Sequence, residues 1–408
     1  MTASQPRFFL PMSVLFTSVF SVAGIFVMFY ALFLNDRGLS TTQIGYAMSA
    51  MALAKITSVL MVAFVIDKSR SPHLYLVSAA CCAMVMMGLV YLFDIQGSIL
   101  IPLTFFYSLA WSMNVPLSEG FAMRACRLDK SLNYGRMRLF GSISFLIAGL
   151  VMGELIEHHD NNYDLFLLGI IIAMIFTAYT GARLPNFYEL EQKARIVDKA
   201  TIDAQGLLKM ITHNIPLMVI IGGASVMHAG HAVLFQYAPV SWGQQGYSNI
   251  WISYFMGIGV VIEVIVFWFA RSIDKRLRTI DYFMIAGLGS IIRWTAMGFN
   301  PQGGWILFFQ SFHAFSFAML HLGVIRYIKE NLAGNYHGAA QLIYGGMMWG
   351  VAMIPATALA GYVCSHYQQG AYFFMAGLAA LGTGIVLIPF YKKNLFKKQQ
   401  TISYVTTG

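Results

Sequence analysis

Charged side chains are scarce in this sequence. Only 11% of the 408 residues are Asp, Glu, Lys or Arg, whereas 58% are hydrophobic, and soluble domains carry about 25% charged residues. A soluble chain of this length cannot remove so much apolar surface from water. The scarcity of charge therefore excludes an ordinary soluble protein and indicates an all-α membrane protein.

Cysteine is also scarce, and the motifs of common soluble enzymes are missing. The four cysteines, Cys81, Cys82, Cys126 and Cys364, lie in or beside apolar segments without metal-type spacing, so we interpret them as packing residues. The sequence has no nucleophile elbow, metal-ligand cluster, phosphate-binding loop or ATP-binding motif. These absences predict a protein that is not an enzyme and has no metal site and no cofactor.

Long apolar segments fill most of the chain. Each is close to the roughly 20 residues that a helix needs to cross a bilayer. The sequence predicts twelve transmembrane helices, at residues 9–34, 42–66, 73–93, 98–123, 137–157, 163–183, 211–236, 248–271, 279–298, 303–328, 337–363 and 369–391.

Basic residues are distributed unevenly between the two sides of the predicted helices. All of the 26 Lys and Arg residues fall on one side, except Arg37 on the other side and Lys55 and Arg293 inside helices. Such a bias marks the cytoplasmic side of a membrane protein, so both termini are predicted to be cytoplasmic. It also explains the net charge of +9 without a nucleic-acid partner.

Two halves are predicted from one polar interruption and a weak internal repeat. Residues 184–209 form the longest polar stretch, and we interpret them as a cytoplasmic linker between six-helix halves at 1–183 and 210–392, with a cytoplasmic tail at 393–408. Ile66-Asp67-Lys68 recurs as Ile273-Asp274-Lys275, and Gly149-xxx-Gly153 as Gly346-xxx-Gly350. The repeat favours pseudo-two-fold symmetry with a substrate site at the midplane.

Glu263 is the most informative single residue. It is the one charge in the apolar stretch Ile252–Phe269, and an ionised group at the bilayer centre costs at least about 2.5–3.5 kcal/mol. Arg293 also lies in an apolar run, although it could extend its charged end to the membrane interface. Lys55, at mid-depth in the second helix, needs an anion: either a substrate carboxylate or Glu263.

Several motifs carry a family resemblance over nearly the whole chain. They are YGRMRLFGS at 134–142, GIGVVIEVIVF at 257–267, Arg293-Trp294, FHAFSFAMLH at 312–321, RYI at 326–328, and Gln341 with Tyr344. The chain resembles transporters of the major facilitator superfamily, and within it the bacterial phenylpropionate permease family, a relative of the lactose permease and the nucleoside symporters. Ala63 stands where the superfamily's loop signature usually has a glycine, whereas Asp67, Lys68 and Arg70 keep the sense of that signature.

The tenth predicted helix carries two candidate proton carriers, His313 and His321. They are eight residues apart and lie within about 80° of each other around the helix, and imidazole changes charge near neutral pH. The alternative is that each histidine packs against a neighbour such as Gln310 or Tyr344. Ser316 stands where the lactose permease has an essential carboxylate, so coupling of that kind would have to use Glu263.

The resemblance extends the predicted site to further residues. Glu119 matches a family acid and is expected to form a binding or gating pair with Arg138. On the seventh helix, His228 and His231 are about 300° apart, which we interpret as different directions, and only His231 matches the family pattern. The residues predicted to couple transport to protons are Glu263, His313 and Arg293. The residues predicted to bind substrate are Lys55, Arg293, Glu119, Arg138, His231, Gln310, His321, Gln341 and Tyr344. The residues predicted to form the gate are Asp67, Lys68, Arg70, Asp274 and Lys275.

Together these features lead us to expect a proton-coupled symporter in the bacterial inner membrane. Its substrate is expected to be an aromatic or hydrophobic carboxylate such as phenylpropionate, imported by alternating access, with the proton as coupling ion. A sugar or nucleoside symporter, a drug-type exporter and a membrane sensor that transports nothing remain alternatives. The expected partners are the small-molecule substrate and the lipid bilayer, and the expected working form is a monomer.

Overall fold

The computed structural model describes residues 8–62, 69, 71–194, 214–332 and 336–391. Within these ranges the regular structure is helical, and no strand occurs. The α-helices are α1 Phe9–Asp36, α2 Thr41–Met61, α3 Pro72–Leu92, α4 Leu100–Ser112, α5 Asn114–Leu128, α6 Tyr134–His158, α7 Asp164–Ala182, α8 Phe187–Lys193, α9 Ile215–Ala229, α10 Ala232–Gln236, α11 Ala238–Gln244, α12 Asn249–Asp274, α13 Thr279–Gly298, α14 Gly304–Ser311, α15 Leu320–Asn331, α16 His337–Gly346, α17 Met353–Tyr367 and α18 Ala371–Tyr391.

Ten helical stretches in the described part of the chain are long and apolar enough to cross a membrane. The predicted apolar segments coincide with helices wherever they are described. The last two predicted segments both overlap one helical stretch of 52 residues, Ala340–Tyr391, and α13 is not among the ten. The multi-pass helical class is therefore confirmed, whereas the count of twelve stays a prediction.

The chain divides into two compact units. The first contains Met1–Val197 and Phe235–Gly257, and the second contains Asp198–Leu234 and Ile258–Gly408. Helix α12 contributes to both, because its residues up to Gly257 group with the first unit and those from Ile258 onward with the second. The predicted limits of the halves, 1–183 and 210–392, stay predictions.

In the first unit, glycines allow α6 to approach two other helices closely. A Cβ atom at Gly149 would collide with the sulfur of Met28 on α1, and one at Gly153 would lie 2.9 Å from the carbonyl oxygen of Asn249 on α12. Such contacts are open only to a residue without a side chain. Gly149 and Gly153 therefore allow close helix packing, whereas at Gly346, the position that repeats Gly149 in the sequence, an added Cβ would meet open space.

The beginning of the predicted linker is ordered against the first unit. Phe187 is buried on α8, and the buried carboxylate of Glu191 accepts hydrogen bonds from Arg124 at 3.3 Å and from Arg127 at 2.8 Å. These contacts fix α8 on the end of α5. Residues 195–209 of the predicted linker and the tail 393–408 lie outside the described part of the chain.

In the second unit, α9 and α13 both pack on α18. The stretches that face these helices contain two π-helical turns, Ala314–Met319 between α14 and α15 and Met347–Val351 between α16 and α17. Because π-helical turns interrupt the regular backbone pattern, they often occur at functional sites. The first of them directly follows His313.

Candidate functional site

Arg293 is the centre of a buried polar cluster in the second unit. It lies near the end of α13, and only 1% of its surface is exposed. The alternative that its charged end reaches the membrane interface is therefore wrong. A charge buried to this extent in an apolar helix must be compensated by hydrogen bonds from its surroundings.

Four side chains surround the Arg293 guanidinium. Its Nη1 lies 2.8 Å from the Ser316 hydroxyl, 3.1 Å from Nδ1 of His313 and 3.3 Å from Nε2 of His231. Its Nη2 donates to the amide oxygen of Gln310, which is itself buried. The structure therefore brings together four residues that the sequence predicted separately, and it adds Ser316 as a direct partner of Arg293.

A break in the helix between α9 and α10 positions His231. The backbone N–H and the ring Nδ1 of His231 both lie 2.9 Å from the carbonyl oxygen of His228. An oxygen can only accept, so Nδ1 carries the proton, and Nε2 is the acceptor that Arg293 requires. The broken helix thus assigns a neutral tautomer to His231.

The interpretation that His228 and His231 face different directions is wrong. An angle of about 300° around a helix is equivalent to about 60° in the opposite sense. Their rings stack with centroids 4.8 Å apart, and both residues are fully buried. His228 also packs edge-on against Trp349 at 4.4 Å, so it belongs to the wall of the cluster.

His313 connects Arg293 to Glu263. Its Nε2 lies 3.3 Å from Oε2 of Glu263, and its Nδ1 accepts from Arg293. Since Nδ1 is an acceptor, the neutral ring carries its proton on Nε2 and donates it to the carboxylate. The result is a hydrogen-bonded chain from guanidinium to imidazole to carboxylate, in which the two full charges do not touch directly.

The close approach of His313 to α12 depends on Gly259. A Cβ atom at Gly259 would lie 2.8 Å from the Cβ of His313, which is closer than such atoms approach in proteins. Gly259 is one turn before Glu263 on the same helix. Its missing side chain therefore lets the imidazole reach the carboxylate.

Replacing Gly259 with alanine should separate His313 from Glu263. The added methyl group makes one helix move by several tenths of an ångström, at a cost of about 1–3 kcal/mol. We expect the thermal unfolding temperature in detergent to fall by a few degrees. Gly377→Ala is the control, because an added Cβ there meets open space; equal unfolding temperatures for both variants would contradict this role of Gly259.

Aromatic rings cover the cluster on several sides. The Trp294 ring lies under the Arg293 guanidinium at 4.3 Å and stacks on Tyr372 at 6.1 Å. Phe317 is parallel to the His313 ring, with centroids 5.3 Å apart. This enclosure lowers the local dielectric constant and strengthens every charge interaction inside it.

His321 and Tyr344 form a second polar pair in the same unit. Their ring centroids are 5.7 Å apart, and Phe317 lies 6.1 Å from His321 on the side towards His313. Neither His321 Nδ1 nor the Tyr344 hydroxyl has a hydrogen-bond partner among the described residues. Gln341, by contrast, is exposed on α16.

Three predicted substrate-binding residues lie in the first unit. Lys55 is half-buried on α2. The Nε of Arg138 is 4.0 Å from a carboxylate oxygen of Glu119, and its guanidinium stacks on the Phe20 ring at 3.7 Å. The two partners predicted to pair are therefore adjacent, and their role in binding or gating stays a prediction.

The gate residues are only partly described. Asp274 accepts hydrogen bonds from the Tyr282 hydroxyl at 2.9 Å and from Arg326 at 3.1 Å, which ties α12 to α13 and α15. Lys275 is exposed beside it. The remaining predicted gate residues, Asp67, Lys68 and Arg70, lie outside the described residues.

Comparison with known proteins identifies the fold and the family. A family model described as the MFS_1 like family matches residues 9–376. The probable 3-phenylpropionic acid transporter of Escherichia coli (strain K12) is 25% identical over 365 residues, covering 89% of this chain and 93% of that protein. The maltose permease of Geobacillus stearothermophilus is 21% identical over 389 residues, covering 93% of each protein.

Solved structures of transporters share the same fold. The nucleoside transporter NupG superimposes with a TM-score of 0.75 at 14% identity, over 96% of this chain and 99% of that chain. A D-xylose-proton symporter does so with a TM-score of 0.65 at 14% identity, over 94% and 97%. These relatives and neighbours are membrane transporters and not enzymes. The chain belongs to the MFS_1 like family and is a transporter of the major facilitator type.

Proposed function

We propose that this transporter is a proton-coupled symporter that imports an aromatic or hydrophobic carboxylate. The observation that carries the proposal is the contact between His313 and Glu263, at 3.3 Å, inside an apolar enclosure that also holds Arg293. A carboxylate and an imidazole in direct contact share a site for one additional proton. Binding of a proton at this site changes the net charge of a buried cluster. Such a change strongly shifts the equilibrium between conformations that differ in how they bury the cluster.

The nearby arginine makes this proton exchangeable. Arg293 keeps its charge, and it contacts His313 rather than Glu263 in the described structure. When the carboxylate is charged, the cluster is neutral overall; when it takes up a proton, one positive charge is left. An anionic substrate that enters near Arg293 would restore neutrality, so proton binding and anion binding favour each other.

The substrate class follows from basic residues and from the relatives. Lys55 and Arg293 lie within apolar helices, and either can bind a carboxylate. The relative from Escherichia coli is described as a probable 3-phenylpropionic acid transporter. An aromatic acid also suits a site whose wall is rich in Trp, Tyr and Phe.

The wider arrangement is part of the same proposal. The chain forms twelve transmembrane helices in two symmetric halves, with both termini in the cytoplasm of a bacterium and the helices in its inner membrane. It works as a monomer by alternating access, with the proton as coupling ion and without a cofactor. The bias of Lys and Arg towards one side supports this orientation.

Proton-driven uptake in proteoliposomes tests the function directly. With a vesicle interior more alkaline than the bath, we expect radiolabelled 3-phenylpropionate to accumulate above its external concentration, and a protonophore to abolish the accumulation. Lys55→Ala should weaken uptake of the acid about tenfold, since one charge-assisted hydrogen bond is lost. Lys193→Ala is the control, because this lysine lies on α8 outside the apolar helices.

Competition identifies the substrate class. We expect unlabelled aromatic acids to inhibit uptake, and nucleosides and maltose to have no effect. If a nucleoside inhibits uptake and aromatic acids do not, the proposed substrate class changes from a carboxylate to a nucleoside, as in the name of the NupG neighbour. Absence of any pH-driven uptake would contradict symport.

A further inference from the structure

The helical stretch Gly97–Leu128 of the first unit is broken near its middle. It runs as α4 up to Ser112 and resumes as α5 at Asn114. Pro116 explains the break, because its ring nitrogen carries no hydrogen for the carbonyl oxygen of Ser112, four residues earlier. Within a membrane such a break is tolerated where protein or a polar cavity surrounds it, and broken helices at mid-membrane often line the substrate sites of transporters.

Three buried side chains around this break have polar atoms without a hydrogen-bond partner among the described residues. These atoms are the hydroxyl of Tyr107, the indole Nε1 of Trp111 and the amide oxygen of Asn114. The hydroxyls of Ser108 and Ser112 in the same section are also unpaired within the described chain. Leaving buried polar groups unpaired is energetically costly, so this section needs a partner from outside the polypeptide chain, either water or a ligand.

The unpaired groups are confined to one section of the helical stretch. Before it, the Thr104 hydroxyl pairs with that of Tyr30, and after it, the Ser118 hydroxyl donates to a backbone carbonyl. Within it, Nδ2 of Asn114 donates to the Trp111 carbonyl at 3.1 Å. Only the NH₂ end of an amide can donate, so this contact orients the Asn114 side chain and leaves its oxygen as the unpaired acceptor.

Phe26 of α1 gives the same section an aromatic wall. Its ring lies at 20° to the rings of both Tyr107 and Trp111, with centroid distances of 5.4 Å and 5.6 Å. Helix α4 itself carries no charged residue. The section is therefore aromatic and able to form hydrogen bonds, but it is uncharged. Such surroundings suit an aromatic ring with a neutral polar substituent.

The unpaired atoms include both a donor and an acceptor. The indole N–H of Trp111 can only donate, the amide oxygen of Asn114 can only accept, and the Tyr107 hydroxyl can do either. A carboxylate has acceptors alone and would leave Asn114 unpaired. A hydroxyl group donates and accepts at the same time, so it can satisfy partners of both kinds.

We propose that Tyr107, Trp111 and Asn114 bind a hydroxyl group on the aromatic ring of the substrate. They are specificity-determining residues, which favour an aromatic acid with a hydroxylated ring over the same acid without the hydroxyl. The proposal rests on the proposed function, in which the substrate is an aromatic carboxylate. Lys55, a candidate to bind that carboxylate, lies on α2, which packs against α4 in the same unit.

Binding to the purified full-length protein in detergent tests this site without requiring transport. Isothermal titration calorimetry compares 3-phenylpropionate with the three isomers of 3-(hydroxyphenyl)propionate. We expect at least one hydroxylated isomer to bind about tenfold more tightly, which corresponds to about 1.4 kcal/mol and is in the range that one hydrogen bond contributes. Equal affinities for all four acids would overturn the proposal and leave water as the partner of these groups.

Asn114→Leu and Trp111→Phe should weaken the preference for the hydroxylated acid. Leucine replaces the amide by an apolar group of similar size, and phenylalanine keeps a ring beside Phe26 but lacks the indole N–H. We expect the ratio of the two affinities to fall about threefold or more in each variant.

Asn331→Leu is the matched control. This exposed asparagine also donates from Nδ2 to a carbonyl of its own helix, at 2.9 Å, so its replacement should leave the affinity ratio unchanged. A thermal unfolding scan checks that all three variants are folded. A wild-type ratio in folded Asn114→Leu or Trp111→Phe would overturn the assignment.

The outcome can be separated from that of the transport assay. Tighter binding of a hydroxylated acid, together with no pH-driven uptake, would support the site and contradict symport. Binding of 3-phenylpropionate without any preference, together with pH-driven uptake, would support the proposed function and contradict the site. Absence of binding of all four acids would contradict both.

Discussion

Glu263→Gln is expected to abolish accumulation of substrate driven by a pH gradient. Glutamine has nearly the same shape, and its amide oxygen can still accept the hydrogen bond from Nε2 of His313. It cannot release or bind a proton in the physiological range, so the cluster no longer changes charge. With a typical coupling free energy of about 1–3 kcal/mol removed, we expect proton-driven uptake to fall by up to about 100-fold.

A second assay distinguishes lost coupling from lost folding. Exchange of labelled for unlabelled substrate moves no net proton, so Glu263→Gln should reduce exchange much less than it reduces proton-driven uptake. Glu154→Gln is the control, because that carboxylate is largely exposed near the end of α6. If Glu263→Gln retains wild-type accumulation, Glu263 is not the coupling residue.

Arg293→Met should strongly destabilise the second unit. Methionine fills similar space but leaves the Gln310 oxygen, His313 Nδ1 and His231 Nε2 without their shared donor. Removing one member of a buried charge network typically costs about 3–5 kcal/mol. We expect the thermal unfolding temperature in detergent to fall by roughly 5–10 °C.

Arg278→Met provides the comparison at the start of the same helix. Its side chain is 81% exposed and pairs with Asp281 at 2.8 Å. Exposed pairs of this kind are largely compensated by water, so the unfolding temperature should hardly change. Equal shifts for Arg278→Met and Arg293→Met would show that the buried network contributes no special stability.

Sequence periodicity and composition were sufficient to predict the class of the protein. Long apolar segments require helices in a bilayer, because a membrane interior cannot hydrogen-bond an open backbone. For the same reason, the isolated charges Glu263 and Arg293 were recognisable as candidates from their neighbours alone. Their importance follows from solvation cost, which depends mainly on local sequence.

Local sequence does not predict which of these charged residues contact one another. Arg293, His313 and Glu263 come from different helices, and their contact depends on helix packing and on the close approach at Gly259. A spacing of three residues puts His228 and His231 about 60° apart around a helix by the shorter angle, which is consistent with their stacked rings. The involvement of Ser316 had no sequence signal beyond its position one turn after His313.

Glu263 shows most clearly what the local sequence predicts and what only the tertiary structure determines. Its position in an apolar run predicts a costly charge that needs a partner, and it suggests Lys55 as readily as a histidine. The tertiary structure supplies the partner, His313, whose Nε2 lies 3.3 Å from the carboxylate, whereas pairing with Lys55 stays a prediction. The cost of burying a charge depends mainly on the apolar segment around it. The partner of that charge depends on distances between segments that are far apart in the sequence. Those distances are set only when the helices pack.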